Sequence, residues 1–273
     1  MKVKKASNLA LAMAMLFVGW SLLAGTSPAS LWRSLTGDTD RLISGLADRY
    51  GLRVHYGKGT ASLPSLWQIP PVSGTAAVAD VACVSKFMPV IQDELNKYNP
   101  LVLKDHFHNL YLYKSLTLFG VSYGATVQGK DVLLTLDCQR GYTDQDVAKA
   151  LHHELSSLFL KGKRFPSGDW IGANDHGFRY MDNENDVLAA VSVQKDLMGN
   201  PELYRQGFLA EYGKTTLEND INLYAEVAMV EPDRLAKLVG QYPRVAVKAR
   251  LLSKFYQALV GDEFRRNMRL IAE

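Results

Sequence analysis

The chain has 273 residues, of which 47% are hydrophobic and 22% charged. These proportions are typical of a globular protein and exclude fibrous, collagen-like and wholly disordered chains. The formal net charge of +3 at first suggests an anionic partner. However, the excess comes from Lys2, Lys4 and Lys5, because without these three the remaining 28 basic residues balance the 28 acidic ones. The rest of the chain is therefore neutral.

The N-terminus has the pattern of an export signal. The three lysines precede an apolar run from Leu9 to Gly25 and a stretch of small residues. Ser27 and Ala29 suit cleavage after Ala29, and an uncleaved membrane anchor is the alternative. We therefore predict that residues 1–29 are a signal peptide or anchor and that the protein is periplasmic or secreted. Membrane contact is expected only through this segment, if it is not cleaved.

Cys83 and Cys138 are the only cysteines of the chain. In an oxidising compartment an even number of cysteines is compatible with one disulfide, and two buried free thiols are the alternative. A bridge would close a loop of about 55 residues and stabilise the fold by about 4 kcal/mol in the chain-entropy model. Two isolated cysteines so far apart make a poor metal site.

The N-terminal segment, residues 30–76, begins with apolar spacing that predicts a helix ending near Tyr50. A short strand over Leu52–Tyr56 is expected next. Gly, Ser and Pro crowd residues 57–76, which predicts a loop or tether. Apolar residues then recur at helical spacing from Val78 to Asn96, and these belong to the predicted main domain.

The main domain, residues 77–273, continues with three runs that favour β-strands: Asn109–Leu112, Gly120–Val127 and Val132–Asp137. A helix is predicted from Asp144 to Leu160, with Thr143 as its N-cap. The remainder has helical patterning interrupted by loops at 162–183 and 198–217. A small sheet followed by helices defines an α+β fold.

The predicted 144–160 helix contains His153 and Glu154, the first half of an HExxH zinc motif. In that motif two histidines four residues apart share one helix face and bind zinc, while the glutamate activates the metal-bound water. Here the second position is Ser157, whose neutral hydroxyl is a poor zinc ligand. On its own, this segment also fits an ordinary polar helix face.

A second segment, Tyr212-Gly213-Lys214-Thr215, leads into another predicted helix. Thr216 suits the N-cap of that helix, and Glu218 and Asp220 are acids that the helix dipole favours in a first turn. This structural explanation is sufficient by itself. The functional alternative is that a carboxylate near the start of the helix points at His153.

Together the two segments resemble the anthrax-lethal-factor-like group of gluzincin metallopeptidases, which includes exported bacterial proteins. The resemblance covers roughly residues 98–230. It implies a zincin-like fold with a small antiparallel sheet, an active-site helix and a helical C-terminal lobe. It also implies a bound zinc ion and a peptide or protein substrate. The matching residues are His153, Glu154, Phe165, Trp170, Gly177, Phe178, Tyr180, Tyr212, Gly213, Lys214 and Thr215.

The resemblance assigns roles residue by residue. It implies that His153 is the first zinc ligand, Glu154 the general base and Tyr212 a donor to the oxyanion of the tetrahedral intermediate. Ser157 stands where the second histidine is expected.

The third-ligand position falls on Asn219, so two of the three ligands are replaced. A shift of one residue would make Glu218 the carboxylate ligand. His176 and Glu226 are further candidates, although a solvated helix acid is the preferred explanation of Glu226.

Two functions follow from this pattern. The first is an exported peptidase that uses zinc. The second keeps the fold without the metal and binds a peptide or protein in the cleft. No phosphate-binding loop, dinucleotide fingerprint or GxSxG motif is present. The C-terminal arginines are interspersed with acids, which is typical of a solvated helix, so no nucleic-acid partner is expected.

Overall fold

A computed structural model describes residues 28–57, 63–181 and 199–272 of the chain. Residues 1–27, which make up nearly all of the predicted signal segment, lie outside this range. Among the described residues, no helix combines the length and apolar character that a membrane crossing requires.

Ten α-helices are distributed along the described residues. Their bounds are α1 (Pro28–Tyr50), α2 (Val81–Leu95), α3 (Pro100–His106), α4 (Asp144–Gly162), α5 (Ser167–Gly172), α6 (Pro201–Gln206), α7 (Leu217–Val230), α8 (Pro232–Gln241), α9 (Pro243–Tyr256) and α10 (Asp262–Ala272). Short 3-10 turns at Ser65–Trp67, Cys138–Arg140 and Glu211–Lys214 lie in the connections.

The described strands form one six-stranded sheet around a long central strand. Its members are β1 (Arg53–His55), β2 (Thr75–Val78), β3 (Asn109–Leu118), β4 (Val121–Tyr123), β5 (Ala125–Gln128) and β6 (Asp131–Thr135). The first half of β3 pairs in parallel with β1 and β6, and its second half pairs antiparallel with β2 and β4. β5 pairs antiparallel with β6 at one edge.

The α+β class is therefore confirmed, but the expectation of a small antiparallel sheet is wrong. The sheet is mixed, because the chain passes through helices between β1 and β3 and can return in the same direction. The strand predicted from Gly120 to Val127 is divided at Gly124 into β4 and β5. The predicted loop 57–76 also runs into β2.

Cys83 and Cys138 form a disulfide. The bridge joins the first turn of α2 to the connection that follows β6. This confirms the bridged alternative and fixes α2 beside the segment from which α4 starts.

α4 begins where the sequence predicts it, because Thr143 and Asp146 form a reciprocal capping box. Its apolar residues, among them Leu151 and Leu155, are fully buried in the main core. One side of α4 packs on β5 and β6 and another side packs on α7. The N-cap of α7 is Thr216, whose hydroxyl accepts a hydrogen bond from the backbone N–H of Asn219. Both predicted N-caps are confirmed.

A fully buried ion pair fixes the start of α7 against the C-terminal helices. Lys248 of α9 donates to the Asp220 carboxylate at 2.6 Å, and both side chains are 0% exposed. Trp170 and Tyr180 donate to the same oxygen of Asp220. Asp220 is therefore an internal anchor for the helix and not a solvated acid of its first turn.

Candidate functional site

The site is formed where α4 and α7 face each other. His153 and Ser157 are four residues apart on α4, and Asn222 and Glu226 are four residues apart on α7. Residues at this spacing share one helix face. Each residue of the first pair contacts one residue of the second pair: Ser157 contacts Asn222, and His153 contacts Glu226.

The first contact joins Ser157 to Asn222. The Asn222 amide donates to the Ser157 hydroxyl at 2.8 Å. Both residues are buried, with 3% and 1% of their surfaces exposed. The other amide atom, Asn222 Oδ1, is buried and makes no hydrogen bond within the described part of the chain. A neutral hydrogen bond thus occupies the place that HExxH gives to its second histidine.

The second contact joins His153 to Glu226. The imidazole Nδ1 lies 2.5 Å from a carboxylate oxygen of Glu226, and both side chains are largely buried. Burial lowers the pKa of His153, but the hydrogen bond and charge of Glu226, with the charges of Glu154 and Glu218, outweigh it and raise the pKa to about 9. At neutral pH this contact is an ion pair.

Glu154 lies beside this pair with only 7% of its surface exposed. Burial raises its pKa, the positive charge of His153 lowers it in part, and the charges of Glu218 and Glu226 raise it again, to about 7. Near neutral pH, Glu154 therefore exchanges a proton easily. This is the property that a general base or acid needs.

Tyr212 closes one side of the site. Its ring lies against the ring of His153, with centroids 6.0 Å apart and planes inclined by 27°. Burial, followed by the charges of Glu154 and Glu226, raises the pKa of Tyr212 well above its ordinary value. The hydroxyl therefore stays protonated and available as a donor.

An open strand edge adjoins the site. Within the described ranges β5 pairs with β6 alone, so its outer edge has no strand partner. α4 packs against β5. Tyr123, two residues before β5, is near enough to contribute to the raised pKa of Tyr212. The backbone of β5 is therefore positioned to pair with an extended segment beside His153 and Glu154.

The structure brings His153, Glu154 and Tyr212 together as predicted. Glu218 is an exposed residue in the first turn of α7, and its charge acts on His153 and Glu154. Asn219, where the third ligand is expected, instead donates to Thr215, which lies two residues before the start of α7.

The residue that sequence reasoning did not assign to the site is Asn222. It lies four residues before the cleft candidate Glu226 on α7, and this spacing is the signal that could have identified it. His176, a further ligand candidate, is exposed in the loop after α5.

These residues do not fit a zinc ion in the HExxH arrangement. Zinc sites in proteins use thiolate, imidazole and carboxylate ligands. At this site the second ligand position holds the Ser157 hydroxyl, which bonds to the Asn222 amide, and the expected third position holds Asn219, whose amide donates to Thr215. In the ranges 28–57, 63–181 and 199–272, no group of three His, Cys, Asp or Glu residues is arranged to hold a metal ion.

Comparison with known proteins supports the fold. No protein-family model matches the chain. No curated protein matches it by sequence. Its structure is similar to a solved structure from Bacteroides caccae of a protein described as a candidate zinc-binding metallo-peptidase. The TM-score is 0.57 at 15% sequence identity, and the match covers 88% of this chain and 92% of the other. At this identity the similarity establishes a shared fold.

Proposed function

We propose that this protein is a metallopeptidase-like binding protein that holds an extended peptide or protein segment in the α4–α7 cleft without a zinc ion. The observation that carries the proposal is the buried hydrogen bond between Asn222 and Ser157, at 2.8 Å. It satisfies the Ser157 hydroxyl within the protein. Separating the two side chains to admit an ion would leave both of them buried without partners, which costs about 1–3 kcal/mol for each group.

The open edge of β5 supports a peptide ligand. An extended peptide can pair with the backbone of such an edge, which supplies affinity that is largely independent of sequence. Tyr212 would then donate a hydrogen bond from its hydroxyl to a carbonyl group of the bound segment, since its raised pKa keeps the hydroxyl protonated.

The charges of the cleft indicate which peptides bind best. Glu218 and Glu226 are carboxylates, Glu154 is partly ionised near neutral pH, and His153 contributes one positive charge. The cleft is therefore net negative. We expect the cleft to favour peptides in which a lysine or arginine is close in sequence to the peptide residue bound next to His153. Acidic peptides should be excluded.

The test is a peptide-binding measurement on the purified protein in the presence of EDTA. Fluorescence polarisation with labelled extended peptides should show binding of basic peptides and weak binding of their acidic counterparts. Glu218→Lys at the cleft should weaken the binding of basic peptides. Glu263→Lys on α10 is the matched control because Glu263 is also an exposed first-turn acid, and it should have no effect. Binding that requires added zinc would overturn the proposal.

A zinc-dependent peptidase is the second candidate, and the orientation of His153 favours it. Its Nδ1 is held by Glu226, in the way that a carboxylate outside the ligand set holds a zinc-binding histidine, while its Nε2 makes no hydrogen bond to the described residues. In this candidate Glu218 would be a further ligand, Glu154 the general base and Tyr212 the oxyanion donor. Peptide cleavage that EDTA abolishes and zinc restores would favour this function over the first.

A further inference from the structure

Two stretches of the sequence that meet at one end of the sheet carry no charged side chain. No Asp, Glu, Lys, Arg or His occurs in residues 59–79 or in residues 115–129, although 22% of the whole chain is charged. Residues 63–79 and 115–123 meet where β3 ends, and we name them together the uncharged tip. From there β5 runs back to the level at which β3 starts, because Gln128 pairs with Asp131 and Asp131 pairs with Asn109. β2 pairs with the second half of β3, and β3 turns back into β4.

Backbone hydrogen bonds hold the loop of the tip against its hairpin. The Phe119 N–H donates to the carbonyl of Val72, and the Gly74 N–H donates to the carbonyl of Trp67. Beneath the loop, Leu63 and Leu118 belong to a small second core on the outer face of the sheet. The tip is therefore a folded part of the domain.

The tip exposes large apolar side chains that this second core does not use. Leu66 is 77% exposed, Ile69 is 53% exposed and Phe119 is 40% exposed. Phe119 has a positive φ of 53°, a conformation that bulky residues rarely adopt. Gly120 also has a positive φ, of 74°, as expected for the two central residues of the tight turn that joins β3 to β4. Exposed apolar residues without any neighbouring charge mark an interaction surface.

The N-terminus of the described chain lies toward the same end of the fold. Thr39 of α1 contacts Ser85 of α2, and Tyr50 contacts Asn96, so the two helices run in parallel. α2 starts three residues after β2, at the side of the sheet where the tip begins. Since α1 begins at Pro28, eleven residues before Thr39, it extends about 10 Å beyond the start of α2 at the helical rise of 1.5 Å per residue.

We propose that the uncharged tip contacts the interface of a lipid bilayer. The sequence immediately before α1 includes the apolar run from Leu9 to Gly25, and no charged residue occurs between Lys5 and Arg33. A chain whose N-terminal segment enters a bilayer therefore brings the tip toward the same membrane. Leu66, Ile69 and Phe119 then insert among the headgroups, and no charged side chain of the tip has to be desolvated.

The test places an environment-sensitive fluorophore at the tip of the full-length chain. Ile69→Cys labelled with NBD reports the tip, and Leu101→Cys is the matched control. Leu101 is also an exposed apolar residue, at 71%, but it lies on α3. α3 packs near the C-terminal end of α1, since Lys104 lies close to Gly51. Both labels are introduced without reductant so that the disulfide stays intact.

The chain is mixed with phosphatidylcholine–phosphatidylglycerol vesicles and recovered by flotation. We expect the label at position 69 to shift to shorter wavelength with increased emission, and the label at 101 to stay unchanged. No shift at position 69 in floated protein, or no flotation at all, would overturn the proposal. A shift that appears without vesicles and grows with protein concentration would also overturn it, because the tip would then contact a second copy of the chain.

Discussion

Asn222 on α7 donates a hydrogen bond to Ser157 on α4 across 2.8 Å, at the position where the HExxH pattern places a metal ligand. A hydrogen bond between the two helices that form the cleft is therefore found where a metal ligand is expected. One turn earlier on α4, His153 pairs with Glu226, so the same interface holds a neutral hydrogen bond and an ion pair. These two contacts hold the facing sides of α4 and α7 together.

The first prediction concerns the stability that the Ser157 contact provides. Ser157→Ala removes the acceptor and leaves the buried Asn222 amide without a partner, so the free energy of unfolding should fall by about 1–3 kcal/mol. Urea denaturation followed by circular dichroism measures this change.

The matched double variant Ser157→Ala with Asn222→Leu replaces both polar groups by apolar ones. Because no buried donor is then left unsatisfied, its stability should lie closer to that of the wild type than the single variant does. A double variant with the summed cost of both single variants would show that the two side chains do not act as a pair.

The second prediction concerns pH. The folded-state pKa of His153 is raised from 6.5 to about 9 and that of Glu154 from 4.5 to about 7. Each raised group stabilises the fold fully below its ordinary pKa, and this contribution is lost as the pH rises through its folded-state pKa. The free energy of unfolding should therefore decrease from pH 5 to pH 9.5, as measured by urea denaturation at half-unit intervals.

The Glu226→Gln variant distinguishes the contribution of His153 to this pH dependence from the contribution of Glu154. It removes the carboxylate that pairs with His153, so the decrease between pH 7 and pH 9 should become shallower while the decrease below pH 7 remains. An unchanged slope above pH 7 would mean that another group titrates there.

The third prediction concerns the anchor of α7. Lys248→Met leaves the Asp220 carboxylate buried without its cation, which should cost about 3–5 kcal/mol of stability. Lys254→Met is the matched control, because Lys254 lies on the same helix but is exposed, and it should change stability by less than about 0.5 kcal/mol. Equal effects of the two substitutions would refute the anchoring role.

Sequence reasoning recovered the parts of the site that depend on local structure. Thr143 and Thr216 were predicted as N-caps because a cap needs only a hydroxyl before an apolar-periodic run. His153, Glu154 and Tyr212 were found through short motifs. Glu226 was named as a cleft candidate, but a solvated helix acid was the preferred explanation, because its contact with His153 spans 73 positions of the chain.

The features that sequence reasoning did not predict depend on the tertiary arrangement of the helices and strands. Asn222 could not be paired with Ser157 without the register of α7 against α4. The sequence alone predicts Asp220 to be a surface acid favoured by the helix dipole, because its buried partner Lys248 is 28 residues away. The uncharged tip is formed by two stretches that are neutral in the sequence, and only the β2–β3 pairing places them together.

The most direct test of the central claim is the zinc content of the full-length protein, compared with that of a double variant carrying Ser157→His and Asn222→Glu. This variant restores a histidine and a carboxylate at the two facing positions beside His153, which completes a typical zinc ligand set. After equilibration with zinc and gel filtration, we expect negligible zinc in the wild type and about one ion per chain in the variant. Stoichiometric zinc in the wild type, lost on His153→Ala, would contradict the account.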